Sequence, residues 1–172
     1  LEQRHVDLSA LVDELHQTVD TLSAQLQGRL NFAYKDPVRN FDRSKVKGIV
    51  AKLVTAIPDA KYATALEVVA GGRLFQVVVD EAITGKALLE RGQLVRRVTI
   101  IPLDKIRPRH IPAATCAKAQ TMAAQRGAES HPAIELIGFD ESVRQAMEYV
   151  FGTSLVVDNG KVASDICEAT KT

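Results

Sequence analysis

Leu1, Leu8, Leu15 and Leu22 recur every seven residues, and His5, Val12, Val19 and Leu26 form a second seven-residue track four positions behind. Nothing else in the sequence restricts the fold as strongly. An apolar repeat of 3.5 residues holds one narrow stripe of a helix against a partner helix along its whole length. With the first track as d and the second as a, the seam is Leu at d and mostly Val at a, interrupted by His5. No Pro occurs in residues 1–30, and the single Gly, Gly28, comes near the end. Two basic residues (Arg4, Arg29) face five acidic ones (Glu2, Asp7, Asp13, Glu14, Asp20) in this stretch, a net of −3. Residues 1–30 are therefore expected to be a coiled-coil segment with Leu8, Val12, Leu15, Val19, Leu22 and Leu26 in its seam. A lone helix cannot bury such a seam, so its partner is expected outside this stretch. The competing reading is an amphipathic helix docked on its own domain. His5 reads as a register device or a frayed end, and His16 as a solvated residue.

The remaining length suits one domain or two small subdomains sharing a core. With 46% hydrophobic residues among 172, wholesale disorder is not expected. No run of 18 apolar residues occurs, so no membrane-spanning helix is expected. No basic segment leading into an apolar one opens the chain, so no secretory signal is visible. The first residue is Leu1 rather than Met, which is read as a cut from a longer chain. Cys116 and Cys167 form no CxxC pair, and a reducing compartment is expected.

From Asn31 onward the pattern is mixed α and β. Asp36-Pro37 and Arg39-Asn40 are turn chemistry. Val46 to Leu53 admits a helix, or a short strand followed by a helical turn, and Gly48 weakens the first. Tyr62 to Ala70 reads as a helix with Ala63, Leu66, Val69 and Ala70 inward, ended by Gly71-Gly72. Leu74 to Val79 reads as a buried strand, Thr84 to Glu90 as a helix, and Arg97 to Leu103 as a second strand. A Pro-rich linker, Asp104 to Pro112, leads to an Ala-rich helix from Ala113 to Arg126. Strands are expected at Ile134–Ile137 and Leu155–Val157. Helices are expected at Glu141–Phe151, capped by Asp140, and at Lys161–Ala169. Both halves share a similar order of elements, as in an α/β layer.

Few residue patterns in the chain carry chemistry. Ile83-Thr84-Gly85-Lys86-Ala87 lacks the upstream Gly and the hydroxyl of a phosphate loop, so it reads as a helix start. No HExxH, GxSxG or calcium loop occurs, and His110 and His131 sit in or beside Pro-containing segments. No cofactor and no catalytic set is expected. Basic residues say more. Lys35, Arg39, Arg43, Lys45, Lys47 and Lys52 fall close together, and Lys86, Arg91, Arg96, Arg97, Lys105, Arg107 and Arg109 form a second group. Outside the heptads the chain carries 20 basic and 16 acidic residues. Either group could neutralise phosphates, or form a solvated face. Aromatic residues are few, so contact would be to backbone with little sequence readout.

The run Asn31 to Leu103 resembles the hinge domain of the structural maintenance of chromosomes (SMC) family, and within it the condensin subunits of the CAP-E type. The resemblance lies in Phe32-Ala33-Tyr34-Lys35-Asp36-Pro37, Val46-Lys47-Gly48-Ile49-Val50-Ala51 and Ala63-Thr64-Ala65-Leu66-Glu67-Val68-Val69-Ala70-Gly71. Val77-Val78-Val79-Asp80, Thr84-Gly85-Lys86, Leu88-Leu89-Glu90-Arg91-Gly92 and Thr99-Ile100-Ile101-Pro102-Leu103 continue it. In the second half it rests on Ala146-Met147-Glu148-Tyr149-Val150-Phe151-Gly152-Thr153.

The resemblance implies an α+β (mixed α/β) fold of two similar subdomains, 31–107 and 108–172, preceded by a coiled-coil arm. It implies pairing with a partner SMC hinge as a heterodimer, through Gly71, Gly72, Leu74, Phe75 and Val77. It also implies packing of the heptads against the returning arm, and backbone contact with DNA through Lys35, Arg39, Arg43, Lys45, Lys47 and Lys52. The ATPase heads of such proteins would lie elsewhere in the parent chain, so this segment is not expected to be an enzyme. The resemblance further implies a chromosomal, nuclear location with a cytoplasmic pool. Family hinges continue into a strand and a glycine-rich segment, which are missing by Thr172, so either a trimmed chain or an incompletely read gene is expected. The alternative reading is a stand-alone α/β domain with a small-molecule pocket, either a binding module or an enzyme.

Overall fold

The computed structural model describes residues 12, 15–22, 24, 25 and 28–170. The chain divides into two compact units, Leu1–Phe32 and Ala33–Thr172. In the first unit, every described residue up to Leu30 is helical. Val12, Leu15, Val19 and Leu22 are 45–57% exposed, so these seam positions are uncovered within the chain. Leu8 and Leu26, assigned to the same seam, lie outside the described residues.

The second unit begins its regular structure at a short 3₁₀ turn, Arg43–Lys45. Asp42 caps that turn by accepting from the Ser44 amide. Strand β1 (Val46–Ile49) runs directly into a single helical turn, α1 (Val50–Leu53), and then β2 (Val54–Ala56). The ambiguous stretch is thus a strand followed by a helical turn, with Gly48 at φ +119° where the register shifts. A 3₁₀ turn (Ala60–Tyr62) leads into α2 (Ala63–Ala70), whose Leu66 and Ala70 are buried as the periodicity predicts. After a glycine turn come β3 (Val77–Val79), α3 (Ala82–Arg91) and β4 (Ile100–Pro102). The second half adds α4 (Ala113–Ala124), β5 (Ser130–Pro132), β6 (Gly138–Phe139), α5 (Arg144–Phe151), β7 (Leu155–Val157) and α6 (Gly160–Thr170).

β3 is central in a three-stranded sheet, antiparallel to β1 and parallel to β4. A strand flanked on both sides and covered on both faces carries a continuous apolar run rather than an alternating one, and Val77, Val78 and Val79 are all fully buried. The parallel β3–β4 pair needs a crossover, which α3 supplies. Gly85 lets α3 lie close to β4: a Cβ there would stand 3.1 Å from Cγ2 of Ile100. Two further antiparallel ribbons, β2–β6 and β5–β7, complete the strand pairing. The β2–β6 ribbon joins the first half of the unit to the second. The main core does the same, drawing Val50, Leu66, Val78 and Ile101 together with Met147, Val150 and Phe151. A smaller core of Ala119, Ala123, Ala128, Val162 and Ile166 lies between α4 and α6.

Several expected elements are corrected. The strand placed at Leu74–Val79 is only Val77–Val79, because Gly71–Phe75 continues as a 3₁₀ helix after α2. The strand placed at Arg97–Leu103 shortens to Ile100–Pro102, since β3, its partner, is three residues long. Ile134–Ile137 is not a strand: Ala133–Leu136 forms a 3₁₀ turn, with β5 before it and β6 after. Asp140 does cap the following helical segment, accepting from the Ser142 amide at 2.9 Å.

Candidate functional site

Two surfaces collect the residues singled out by sequence. The first is the turn after α2. The α2 backbone closes when the Gly71 amide donates to the Glu67 carbonyl, and Gly71 then adopts φ +49°, ψ −131°. L-residues rarely enter that region, so the turn requires Gly at this position. Gly71 and Gly72 are exposed, and a Cβ built on either meets no atom within 4 Å. Leu74 and Phe75 are half-buried behind them. Val77 is different: it is fully buried in β3, between Ile49 of β1 and Ile100 of β4, and presents no surface. Val68, 77% exposed on α2, stands one helical turn ahead of the glycines and was not singled out. Beyond the turn, the Arg73 guanidinium lies 5.6 Å from the centre of the Tyr149 ring.

The second surface is the segment that opens the unit. Lys35, Arg39 and Lys52 are exposed. The Lys35 amide donates to the Gly92 carbonyl at 2.8 Å, which brings this segment beside the end of α3 and Arg91 of the second basic group. Arg43 is committed elsewhere: its Nε donates to Asp36 at 2.9 Å and its guanidinium sits 5.8 Å from the Tyr34 ring centre. That hydrogen bond holds the Arg43 pKa above its ordinary value. Lys45 Nζ stands 3.8 Å from Asp80. Lys47 is half-buried, and its charge helps to lower the pKa of both Asp42 and Asp140, for which the Ser44 and Ser142 hydrogen bonds are the main causes. Four of the six basic residues, Lys35, Arg39, Arg43 and Lys52, are therefore exposed, and Arg43, Lys45 and Lys47 have carboxylates nearby.

A third constellation escaped the sequence. Glu129 Oε2 accepts from Tyr62 Oη at 3.0 Å and from Lys61 Nζ at 3.1 Å. These bonds, Lys61 first, hold the Glu129 carboxyl below the usual range. The partners lie 67 and 68 positions apart, and no local pattern marks such a pair.

Among the described residues, no group of three His, Cys, Asp or Glu side chains is placed to hold a metal. One largely apolar recess is an open groove of about 370 Å³, with Val54, Ile57, Leu66, Leu74, Ile137 and Phe151 in its walls. Glu67 is the one ionisable side chain lining it. Among the described residues, no helix is long and apolar enough to cross a membrane.

The comparisons with known proteins agree with this geometry. The family model described as the SMC proteins flexible hinge domain matches residues 43–167. Structural maintenance of chromosomes protein 2 of Homo sapiens is 46% identical over 176 residues, covering all of this chain and 14% of that protein. The Dictyostelium discoideum protein of the same name is 44% identical over 163 residues, or 95% of this chain and 13% of its own length. The chain thus spans about a seventh of these relatives. Among solved structures, an asymmetric dimer of the Geobacillus stearothermophilus SMC hinge domain superposes with a TM-score of 0.58. It is 25% identical, over 72% of this chain and 48% of that one. The Pyrococcus furiosus Smc hinge domain with an extended coiled coil gives 0.57 at 25% identity, over 91% and 53% of the two chains. The mixed α/β fold, the order of its strands and the sequence match together place this chain in the SMC flexible hinge domain family.

Proposed function

We propose that this chain is the hinge of a condensin-type SMC subunit, a module that pairs with a partner SMC hinge and helps to organise chromosomes rather than catalysing a reaction. The observation that carries the reading is the family match over residues 43–167. The exposed turn at Gly71 and Gly72, where absent side chains leave room for a close backbone approach, is its best candidate contact. Leu74 and Phe75 support that turn, and Val77 contributes as the core strand beneath it. The two subdomains are taken as 31–107 and 108–172. Val12, Leu15, Val19 and Leu22 form the seam for the returning arm of the parent chain.

Lys35, Arg39 and Lys52 are the phosphate contacts of the same module, with Arg43 and Lys45 paired to carboxylates nearby and Lys47 beside them. Such contact is mainly to the DNA backbone and depends on salt. The parent protein would hydrolyse ATP through heads outside this chain, and would reside on chromosomes in the nucleus with a cytoplasmic pool. Mixing the parent protein's hinge with a partner SMC hinge and measuring mass by sedimentation tests the pairing. A one-to-one complex is expected, and two separate monomers at micromolar concentration would overturn it.

A further inference from the structure

We infer that α4, β5, β7 and α6 form a separable layer of the body, latched to the rest through Glu129. The β5–β7 ribbon is a partition between two cores. Val156 faces the main core, while Leu155 and Val157 pack against the small one. Directly paired antiparallel residues share a face, so Ser130, opposite Val157, also belongs to the small-core side. His131, opposite Val156, turns the other way and meets the Tyr62 ring edge-on at 5.9 Å.

The small core is thin. Three of its five buried residues are Ala, and the hydroxyl of Ser130 is buried without a hydrogen-bond partner. The layer is nevertheless tied to itself: Arg126 of the α4–β5 connection pairs with Asp165 of α6, and Lys118 Nζ donates to the Ala169 carbonyl. Glu129 joins this layer to Asp59–Tyr62 on the other side. Its amide donates to Asp158 Oδ1 at 2.9 Å, and the Asp158 amide donates back to the Glu129 carbonyl. Its carboxylate takes Lys61 and Tyr62 across the boundary, with His131 Nε2 at 3.8 Å from the same oxygen. Lys61 is in turn oriented by Asp59, 3.5 Å away, and lies over the Tyr62 ring.

A layer with strong internal ties, a small core and a half-exposed polar latch opens as a unit before the main core does. The device uses none of the glycine turn. Hydrogen exchange on the intact chain tests it, with Glu129→Ala and Tyr62→Phe each compared with the parent sequence. Amides in 113–124 and 160–170 should exchange about five-fold faster in both variants, the scale of one lost partly exposed interaction. In the parent chain these amides should already exchange faster than those of β3, which wait for the main core to open. Layer amides as slow as β3 in the parent chain would mean that the layer opens only with the main core and would overturn the latch, as would unchanged rates in the layer for either variant.

Discussion

Replacing Gly71 by Ala, with Gly72→Ala as its partner experiment, separates backbone strain from surface contact. At Gly71 the added methyl meets no atom within 4 Å, so there is no steric clash to relieve. The whole cost lies in forcing an L-residue to φ +49°, ψ −131°, about 1–3 kcal/mol for a backbone region that L-residues sparsely populate. Gly72 has the same open surroundings and no left-handed φ. There Ala restricts the unfolded chain at a compatible site and should stabilise by up to about 1 kcal/mol. The two variants should therefore differ by about 2 kcal/mol, although each adds one methyl to the same exposed turn. In urea, with a slope of about 2 kcal/mol/M, the midpoints should lie about 1 M apart, with Gly71→Ala the lower. Unfolding followed by far-ultraviolet circular dichroism gives both midpoints. Coincident midpoints, or Gly72→Ala as the weaker protein, would refute the strain argument. Pairing with a partner hinge reads the other property: if the turn is the contact, both methyls weaken the complex, whatever each does to stability.

Changing Lys35, Arg39 and Lys52 together to Glu should weaken single-stranded DNA binding and reduce the slope of log K against log salt by about 2, as three lost phosphate contacts require; fluorescence anisotropy across a salt series would show it, and an unchanged slope would remove these residues from the interface. Phe151, 1% exposed in the main core, should cost about 3–5 kcal/mol on truncation to Ala, measured by denaturant titration. Ser130→Ala should leave stability unchanged or raise it by about 1 kcal/mol, because the hydroxyl it removes has no partner; thermal unfolding reads the sign. Asp42, Glu129, Asp140 and Glu141 all have folded pKa values below their ordinary ones. Their contribution is therefore complete above the unfolded values and is lost as pH falls through the folded ones. Urea midpoints should fall below about pH 4, and Glu129→Gln should make that fall shallower.

What could be read from the sequence was what local chemistry decides. The valine run marked β3, because a strand covered on both faces needs apolar side chains at successive positions. The spacing of Leu66 and Ala70 marked α2, and Asp140 marked a helix start. Gly71-Gly72 marked an end to α2, but a glycine pair admits almost any continuation of the backbone, and the chain runs on as a 3₁₀ turn where a strand was expected. β5 was missed because Ser130, His131 and Pro132 have little strand character; its pairing with β7 supplies what their propensity lacks. Of the basic residues, sequence proximity gathered six but could not show that Asp36 and Asp80 stand beside two of them. The Glu129 latch depends on a contact between distant segments, which composition and periodicity do not register.

The β2–β6 ribbon has a consequence for how the chain acquires its shape during synthesis. Val54 and Ala56 are made early, but Phe139 and Gly138, which pair with them, emerge only after most of the body has been translated. Until then β2 has no neighbour to hydrogen-bond, and closing so long a loop is costly in chain entropy. The first half therefore cannot finish folding on the ribosome by itself, and a nascent chain arrested before Gly138 should remain open to proteases around β2.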